Sequence, residues 1–167
     1  MKSENTKPYL EELTEIENKW QNLVGGLLLS FGKIEWFTYF LLHRLPTENI
    51  FESVKSLGFS KRTNLIKQLL ESGNLTVDLQ TEIKTLLSQA CGLADVRNTI
   101  AHNPLYLGLY NGEGGIDFEY QISKCNKINP IEKPMKLTDL EKHYKRTLEL
   151  ANQCYELQGK VDHELFE

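Results

Sequence analysis

The chain has 167 residues, of which 40% are hydrophobic and 25% are charged. This length is enough for one domain with its own core, and the composition is ordinary for a soluble globular protein. The net charge of −4 argues against a general nucleic-acid binder, which usually presents a basic face, but it leaves room for a local basic cleft. We therefore expect a single globular domain over residues 1–167.

The cysteines and the N-terminal residues indicate the cellular compartment. Cys91, Cys125 and Cys154 are widely spaced and form no Cys-x-x-Cys pair, which is typical of a reducing compartment and gives no zinc motif. The start of the chain is polar and shows no signal peptide, and the most apolar run, Leu23–Gly32, is about half as long as a membrane span. We expect a cytoplasmic protein with no metal, no cofactor and no membrane partner.

The first third of the chain predicts a long helical region. Residues 1–8 are polar and are expected to form a flexible N-terminus. Helical spacing of apolar residues begins at Tyr9, and the Gly25-Gly26 pair is consistent with a break, a bend or a place of close packing. Leu27–Leu45 then reads as a second helix or a continuation that is apolar nearly all round. Such a helix is central or is covered by another subunit, so a homodimer is expected.

Two shorter helices are predicted in the middle of the chain. The first covers Thr47–Leu57, and the second covers Lys61–Glu71 with Ser60 as its N-cap. The basic residues of the second helix could contact an RNA backbone, but we interpret them as a solvated face. These residues are Lys61, Arg62 and Lys67.

The second half predicts a long helix, a hairpin and a final helix. The long helix covers Val77–Ala101, and Gly92 within it indicates close packing. Residues 105–123 alternate in the manner of strands around a glycine-rich turn, which predicts a β-hairpin. A capping-box pattern that starts at Thr138 predicts a C-terminal helix over 138–160. The expected fold class is mainly all-α, a helical bundle with an inserted β-hairpin.

A short polar stretch at the end of the long helix carries the candidate chemistry. Arg97 can bind a phosphate, and His102 is the side chain type whose ordinary pKa lies near neutral pH. Asn98 and His102 are four residues apart and can touch, whereas Arg97 and His102 lie about 140° apart around a helix. An alternative interpretation makes Arg97 a surface partner of a carboxylate, Asp95 or Glu35, and makes His102 a helix C-cap.

Glu35 stands out because it lies within the apolar segment of the first helix. Its helical neighbours are Phe31, Gly32, Thr38 and Tyr39. A carboxylate in such a setting is costly unless it is paired. Glu35 either orients Arg97 or His102, or it lies at a solvent edge.

The run Arg97-Asn98-Thr-Ile-Ala-His102, near the end of a long helix, resembles the Arg-Asn-x-x-x-His signature of HEPN-domain proteins. That resemblance implies a small helical bundle that dimerises, with the Arg and the His lining a cleft at the dimer interface. Many such proteins are metal-independent ribonucleases of toxin–antitoxin, phage-defence and RNA-processing systems, and others are non-catalytic binding modules. Some HEPN toxins have a modified Tyr two residues after the His. Here Tyr106 follows after four, so this regulation is not expected.

The resemblance assigns catalytic roles to Arg97, His102 and Asn98 and supporting roles to Glu35 and Asp95. The implied function is a metal-independent endoribonuclease, a toxin or a phage-defence effector, and the implied partners are a second copy, RNA and an antitoxin or other protein. The alternative is a non-catalytic HEPN module that binds RNA, a nucleotide or a protein. A third interpretation is a helical dimerisation protein in which these residues only cap and pair.

Overall fold

The computed structural model of the chain describes residues 7–48, 50–112, 115–122 and 134–166. Five helices lie within them: α1 (Lys7–Arg44), α2 (Phe51–Val54), α3 (Phe59–Ser72), α4 (Val77–His102) and α5 (Leu137–Phe166). Two antiparallel strands, β1 (Leu105–Gly112) and β2 (Gly115–Ile122), stand between α4 and α5. The expected fold class, a mainly helical protein with an inserted hairpin, is confirmed. The flexible N-terminus expected over 1–8 lies mostly outside the described residues.

Helix α1 runs unbroken through the Gly25-Gly26 pair for 38 residues. A Cβ atom on Gly26 would lie 2.8 Å from Cε2 of Tyr144 in α5, whereas nothing lies within 4 Å of one on Gly25. The pair therefore marks close packing between α1 and α5, one of the three alternatives that the sequence left open, and it neither breaks nor ends the helix.

Ion pairs between helices show their relative directions. Lys19 in the first half of α1 pairs with Glu141 near the start of α5, and Arg44 at the end of α1 pairs with Asp162 near the end of α5, so these two helices run parallel. Helix α4 runs antiparallel to both α3 and α5. Four contacts establish this: Thr63–Cys91 and Glu71–Lys84 between α3 and α4, and Gln89–Arg146 and Glu82–Lys160 between α4 and α5.

Two groups of buried apolar side chains hold these elements together. The larger group joins α1, α3, α4 and α5 around residues such as Phe31, Ile66 and Leu87. The smaller group gathers Trp20, Leu27, Ile100, Ile122 and Leu140. Because the smaller group includes the last turns of α4 and the end of β2, it fixes the segment that carries the Arg-Asn-x-x-x-His run.

A helix was predicted over residues 47–57, but the helix in the structure covers only Phe51–Val54. The next helix starts earlier than predicted, at Phe59, because Gly58 adopts an extended conformation and is itself the N-cap. Ser60 therefore lies inside the first turn, where its carbonyl accepts a bond from Thr63, and the prediction that Ser60 caps the helix was wrong.

The C-terminal helix also begins before its predicted cap and ends later. The backbone N–H groups of Asp139 and Leu140 both donate to the carbonyl of Lys136, and the helix extends to Phe166. Thr138 consequently lies within the first turn, so the predicted capping box was wrong. The close packing predicted at Gly92 was also wrong, since a Cβ there would meet nothing within 4 Å.

Most of the apolar segment of α1 is buried within the single chain, but two large side chains remain open. Leu29 is 74% exposed and Trp36 is 52% exposed. No helix in the described part of the chain combines the length and the apolar character that crossing a membrane requires.

Candidate functional site

The guanidinium group of Arg97 is held by contacts from two helices. Its Nη2 atom lies 2.7 Å from Oε1 of Glu35 in α1, and its Nη1 atom donates to Oδ1 of Asn98 over 2.9 Å. Its central carbon lies 4.9 Å from the centre of the Phe31 ring. These contacts fix the plane of the guanidinium, and the Arg97 side chain retains 24% exposure.

A second arginine, Arg62 at the start of α3, approaches the same carboxylate. Nη2 of Arg62 lies 3.5 Å from Oε1 of Glu35, while Nε donates to the hydroxyl of Thr38 over 2.7 Å. Its Nη1 donates to the hydroxyl of Tyr39 over 2.8 Å and to the carbonyl of Leu57 over 3.0 Å. Arg62 is only 2% exposed, so it supports the site from inside the protein.

Arg62 was expected to lie on the solvated basic face of its helix, and for Arg62 that interpretation was wrong. Charged side chains are rarely buried unless they are paired, which favoured the exposed assignment. A signal was nevertheless present, because Arg62 precedes Ile66 and Leu70 by four and eight residues. Both are fully buried, so this spacing places Arg62 on the inner stripe of α3.

His102 is the last residue of α4, and its side chain is exposed. Among the described residues, no hydrogen bond or ion pair connects it to Arg97 or to Asn98, whose side-chain oxygen instead accepts from Arg97. The C-cap of α4 is Asn103, whose side-chain amide donates to the carbonyl of Thr99 over 2.7 Å. The imidazole of His102 therefore faces solvent, and the capping role belongs to its neighbour.

Arg97 had two candidate carboxylate partners in the sequence, and the structure pairs it with Glu35. Asp95 is exposed, and the bond it receives, from the hydroxyl of Thr99 over 2.8 Å, goes to its backbone carbonyl. The structure thus brings Arg97, Asn98 and Glu35 together. Asp95 and His102 stay outside this contact network.

The local charge of the site differs in sign from that of the whole chain. Glu35 contributes one negative charge and lies against two arginines, which leaves one net positive charge in an acidic protein. Because Arg62 is buried, Arg97 is the cation of this cluster that a ligand can reach. Arginine presents paired N–H donors that match the oxygens of a phosphate or carboxylate, so the arrangement can bind an anion.

The described residues contain no group of three or more His, Cys, Asp or Glu side chains that could hold a metal ion. Comparisons of the chain with protein-family models, with curated proteins and with solved structures returned no match. The resemblance to HEPN domains therefore rests on Arg97, Asn98 and His102 and on the helices that carry them.

Proposed function

We propose that the chain is a metal-independent endoribonuclease of the HEPN type, with Arg97 as the phosphate-binding residue and His102 as the acid–base residue. The observation that supports this proposal is the contrast between the two side chains. Glu35 and Asn98 hold Arg97 in one orientation, while the imidazole of His102 is open to solvent at the end of the same helix.

The proposed reaction uses a nucleophile that RNA itself supplies. A neutral His102 takes the proton of a 2′-hydroxyl group, whose oxygen attacks the adjacent phosphorus and forms a 2′,3′-cyclic phosphate. The bond from phosphorus to the 5′-oxygen breaks, and a protonated imidazole gives a proton to that leaving oxygen. Arg97 stabilises the negative charge that develops on the phosphate oxygens.

A second copy of the chain would complete this site. Arg97 and His102 lie about 140° apart around the axis of α4, so one chain does not direct both side chains at the same atom. A two-fold axis brings two copies of each residue to one cleft. The base would then come from one subunit and the acid from the other.

The alternative proposal is a non-catalytic HEPN module that binds RNA, a nucleotide or a protein partner. Two observations favour it: the net charge of −4 and the engagement of two guanidinium nitrogens of Arg97 within the protein. A toxin or phage-defence role, with an antitoxin or other protein as partner, belongs to the endoribonuclease proposal through the HEPN resemblance.

The test is cleavage of a mixed pool of RNAs in the presence of EDTA by the wild type, Arg97→Ala and His102→Ala. We expect cleavage by the wild type only, with products that end in 2′,3′-cyclic phosphate. Arg146→Ala is the matched control, because Arg146 is an exposed arginine paired with Glu149 on α5. Failure of the wild type to cleave any RNA would reject the enzyme and favour the binding module. Cleavage that requires a divalent metal would reject the proposed mechanism.

A further inference from the structure

A cleft rich in aromatic side chains lies along the C-terminal part of α1, with a volume of about 470 Å³. This aromatic cleft is lined by Trp36, Tyr39, Phe40, His43, Arg44 and Phe51. Its volume falls within the range of roughly 300–1,000 Å³ that is usual for small-molecule sites. The acid–base and phosphate-binding roles described above use none of its residues.

The rings of the cleft are arranged for stacking. The Trp36 and Phe40 rings are 5.9 Å apart with an angle of 22° between their planes, and the His43 and Phe51 rings are 3.7 Å apart with an angle of 24°. Trp36 is nevertheless 52% exposed, whereas the other tryptophan, Trp20, is 1% exposed. A large aromatic ring left half open beside other rings offers a surface for another flat ring.

The aromatic cleft is connected to Arg97 through a short chain of contacts. Tyr39 accepts a hydrogen bond from Arg62, Arg62 approaches the carboxylate of Glu35, and that carboxylate binds Arg97. Trp36 follows Glu35 directly in α1, so the two side chains leave the same helical turn. Tyr39 of the cleft is thus linked to Arg97 through Arg62 and Glu35.

The charge of the cleft argues for a neutral ring as its occupant. Its one arginine, Arg44, is paired with Asp162 at 3.0 Å and lies over the rings of Phe40 and Phe166. A phosphate group bound in the cleft would have no unpaired arginine to contact. A nucleobase is flat and uncharged, and proteins that bind single-stranded nucleic acid stack such bases on aromatic side chains.

We infer that the aromatic cleft binds one unpaired nucleobase of single-stranded RNA, stacked on Trp36, next to the phosphate that Arg97 contacts. This inference rests on the proposed function for the identity of the nucleic acid. It adds that the chain acts on unpaired segments, because a base inside a duplex is stacked on its neighbours and does not present its face.

The test measures binding without cleavage by using a single-stranded 2′-deoxy oligonucleotide, which lacks the nucleophile. We expect this oligonucleotide to quench the fluorescence of the wild type, and the quenching to come from exposed Trp36 because Trp20 is buried. Affinities of the variants are then measured by the anisotropy of a fluorescein-labelled oligonucleotide. Trp36→Leu keeps an apolar side chain but removes the ring, and we expect it to weaken binding by about 5- to 150-fold. Trp36→Tyr keeps a ring and should stay within a few fold of the wild type.

Leu29→Ala is the matched control, because Leu29 is also a large, exposed apolar side chain of α1 and lies outside the cleft. Equal affinities of Trp36→Leu and the wild type would overturn the inference. The inference would also be overturned if the wild type is a dimer while Trp36→Leu is a monomer that binds the oligonucleotide with unchanged affinity. That result would identify a second copy of the chain as the occupant of the cleft.

The two proposals fail separately. Stacking on Trp36 without RNA cleavage would uphold the inference and reject the endoribonuclease. RNA cleavage in EDTA with no loss of binding in Trp36→Leu would uphold the endoribonuclease and reject the inference.

Discussion

Glu35 shares its carboxylate between two arginines of very different exposure, and this sharing links stability to the candidate site. Arg62 is 2% exposed and needs a negative charge nearby, while Arg97 is the partner that a ligand can reach. Removing one partner of a buried ion pair is costly, because the other charge is left uncompensated. The same carboxylate that orients Arg97 thus also compensates the buried charge of Arg62.

Glu35→Gln should therefore lower the free energy of unfolding by about 1–2 kcal/mol in urea denaturation. This is less than the roughly 3–5 kcal/mol expected for a fully buried pair, because water reaches part of the Glu35 side chain. Glu149→Gln removes a carboxylate from an exposed pair with Arg146 and should change stability by less than about 0.5 kcal/mol. Equal small changes in both variants would contradict this account of Glu35.

Cys154 should resist alkylation in the folded chain. Burial raises the pKa of its thiol to about 12. The thiolate is the reactive form and its fraction grows with pH, so at pH 8 only about one thiol in ten thousand is ionised at this site. Peptide mapping after brief iodoacetamide treatment should show modification at the partly exposed Cys91 and none at Cys154. Equal modification of the two would contradict the burial of Cys154.

The sequence indicated candidate site residues, and the structure pairs Arg97 with Glu35, one of the two carboxylates that the sequence offered. The Arg-Asn-x-x-x-His run identified Arg97 and His102 as candidates, and the cost of an unpaired carboxylate singled out Glu35. The role of Arg62 was not predicted, because it depends on where α3 begins relative to α1. That placement is set by contacts between helices, which no local pattern encodes.

At the scale of elements, the sequence predicted the four long helices and the hairpin from their periodicity, and its errors concentrate at helix ends. Helix α4 begins at Val77 as predicted, but the group that caps this end lies in another helix and was not predicted. Thr76 donates from both its backbone N–H and its hydroxyl to the carboxylate of Glu164 in α5, each over 2.8 Å. These bonds hold the pKa of Glu164 below its ordinary value. A cap supplied by a distant helix has no signature in the residues beside it.

The Gly25-Gly26 pair provides a matched test of the packing of α1 against α5. Gly25→Ala should raise the free energy of unfolding by about 0.5–1 kcal/mol, since alanine favours the helix and its Cβ meets nothing. Gly26→Ala should lower it by about 1–3 kcal/mol, because its Cβ would press on the Tyr144 ring. Thermal melting of both variants provides the measurement. Equal stabilisation by the two alanines would mean that Tyr144 is not held against Gly26.

Across the whole molecule, the acidic net charge contrasts with the locally positive cluster around Arg97, as the proposal of a single anion-binding site requires. Glu35 and Asn98 orient Arg97, and in the aromatic cleft Arg44 is paired with Asp162. The proposal also requires a second copy of the chain. The sequence suggested such a dimer only through the HEPN resemblance and the apolar character of α1. An interface between chains depends on surfaces that meet across an axis, and periodicity within one chain does not specify it.

Mixed dimers test whether the acid and the base come from different subunits. A dimer of one wild-type chain and one His102→Ala chain, purified through two different tags, should be inactive, because its composite site has only one of the two imidazoles that the mechanism requires. Arg146→Ala mixed with wild type serves as the control and should remain active. Half of the wild-type activity in the His102→Ala mixed dimer would instead indicate that each subunit holds a complete site.

The most direct test of the central claim is the single-turnover rate of RNA cleavage in EDTA by the wild type and by His102→Ala. General acid–base catalysis usually contributes about 10²- to 10⁴-fold, so His102→Ala should cleave at least about 100-fold more slowly. Its melting temperature should be unchanged, because His102 is exposed. Cleavage by His102→Ala at the wild-type rate, or no cleavage by the wild type, would contradict the assignment of this chain as a metal-independent ribonuclease.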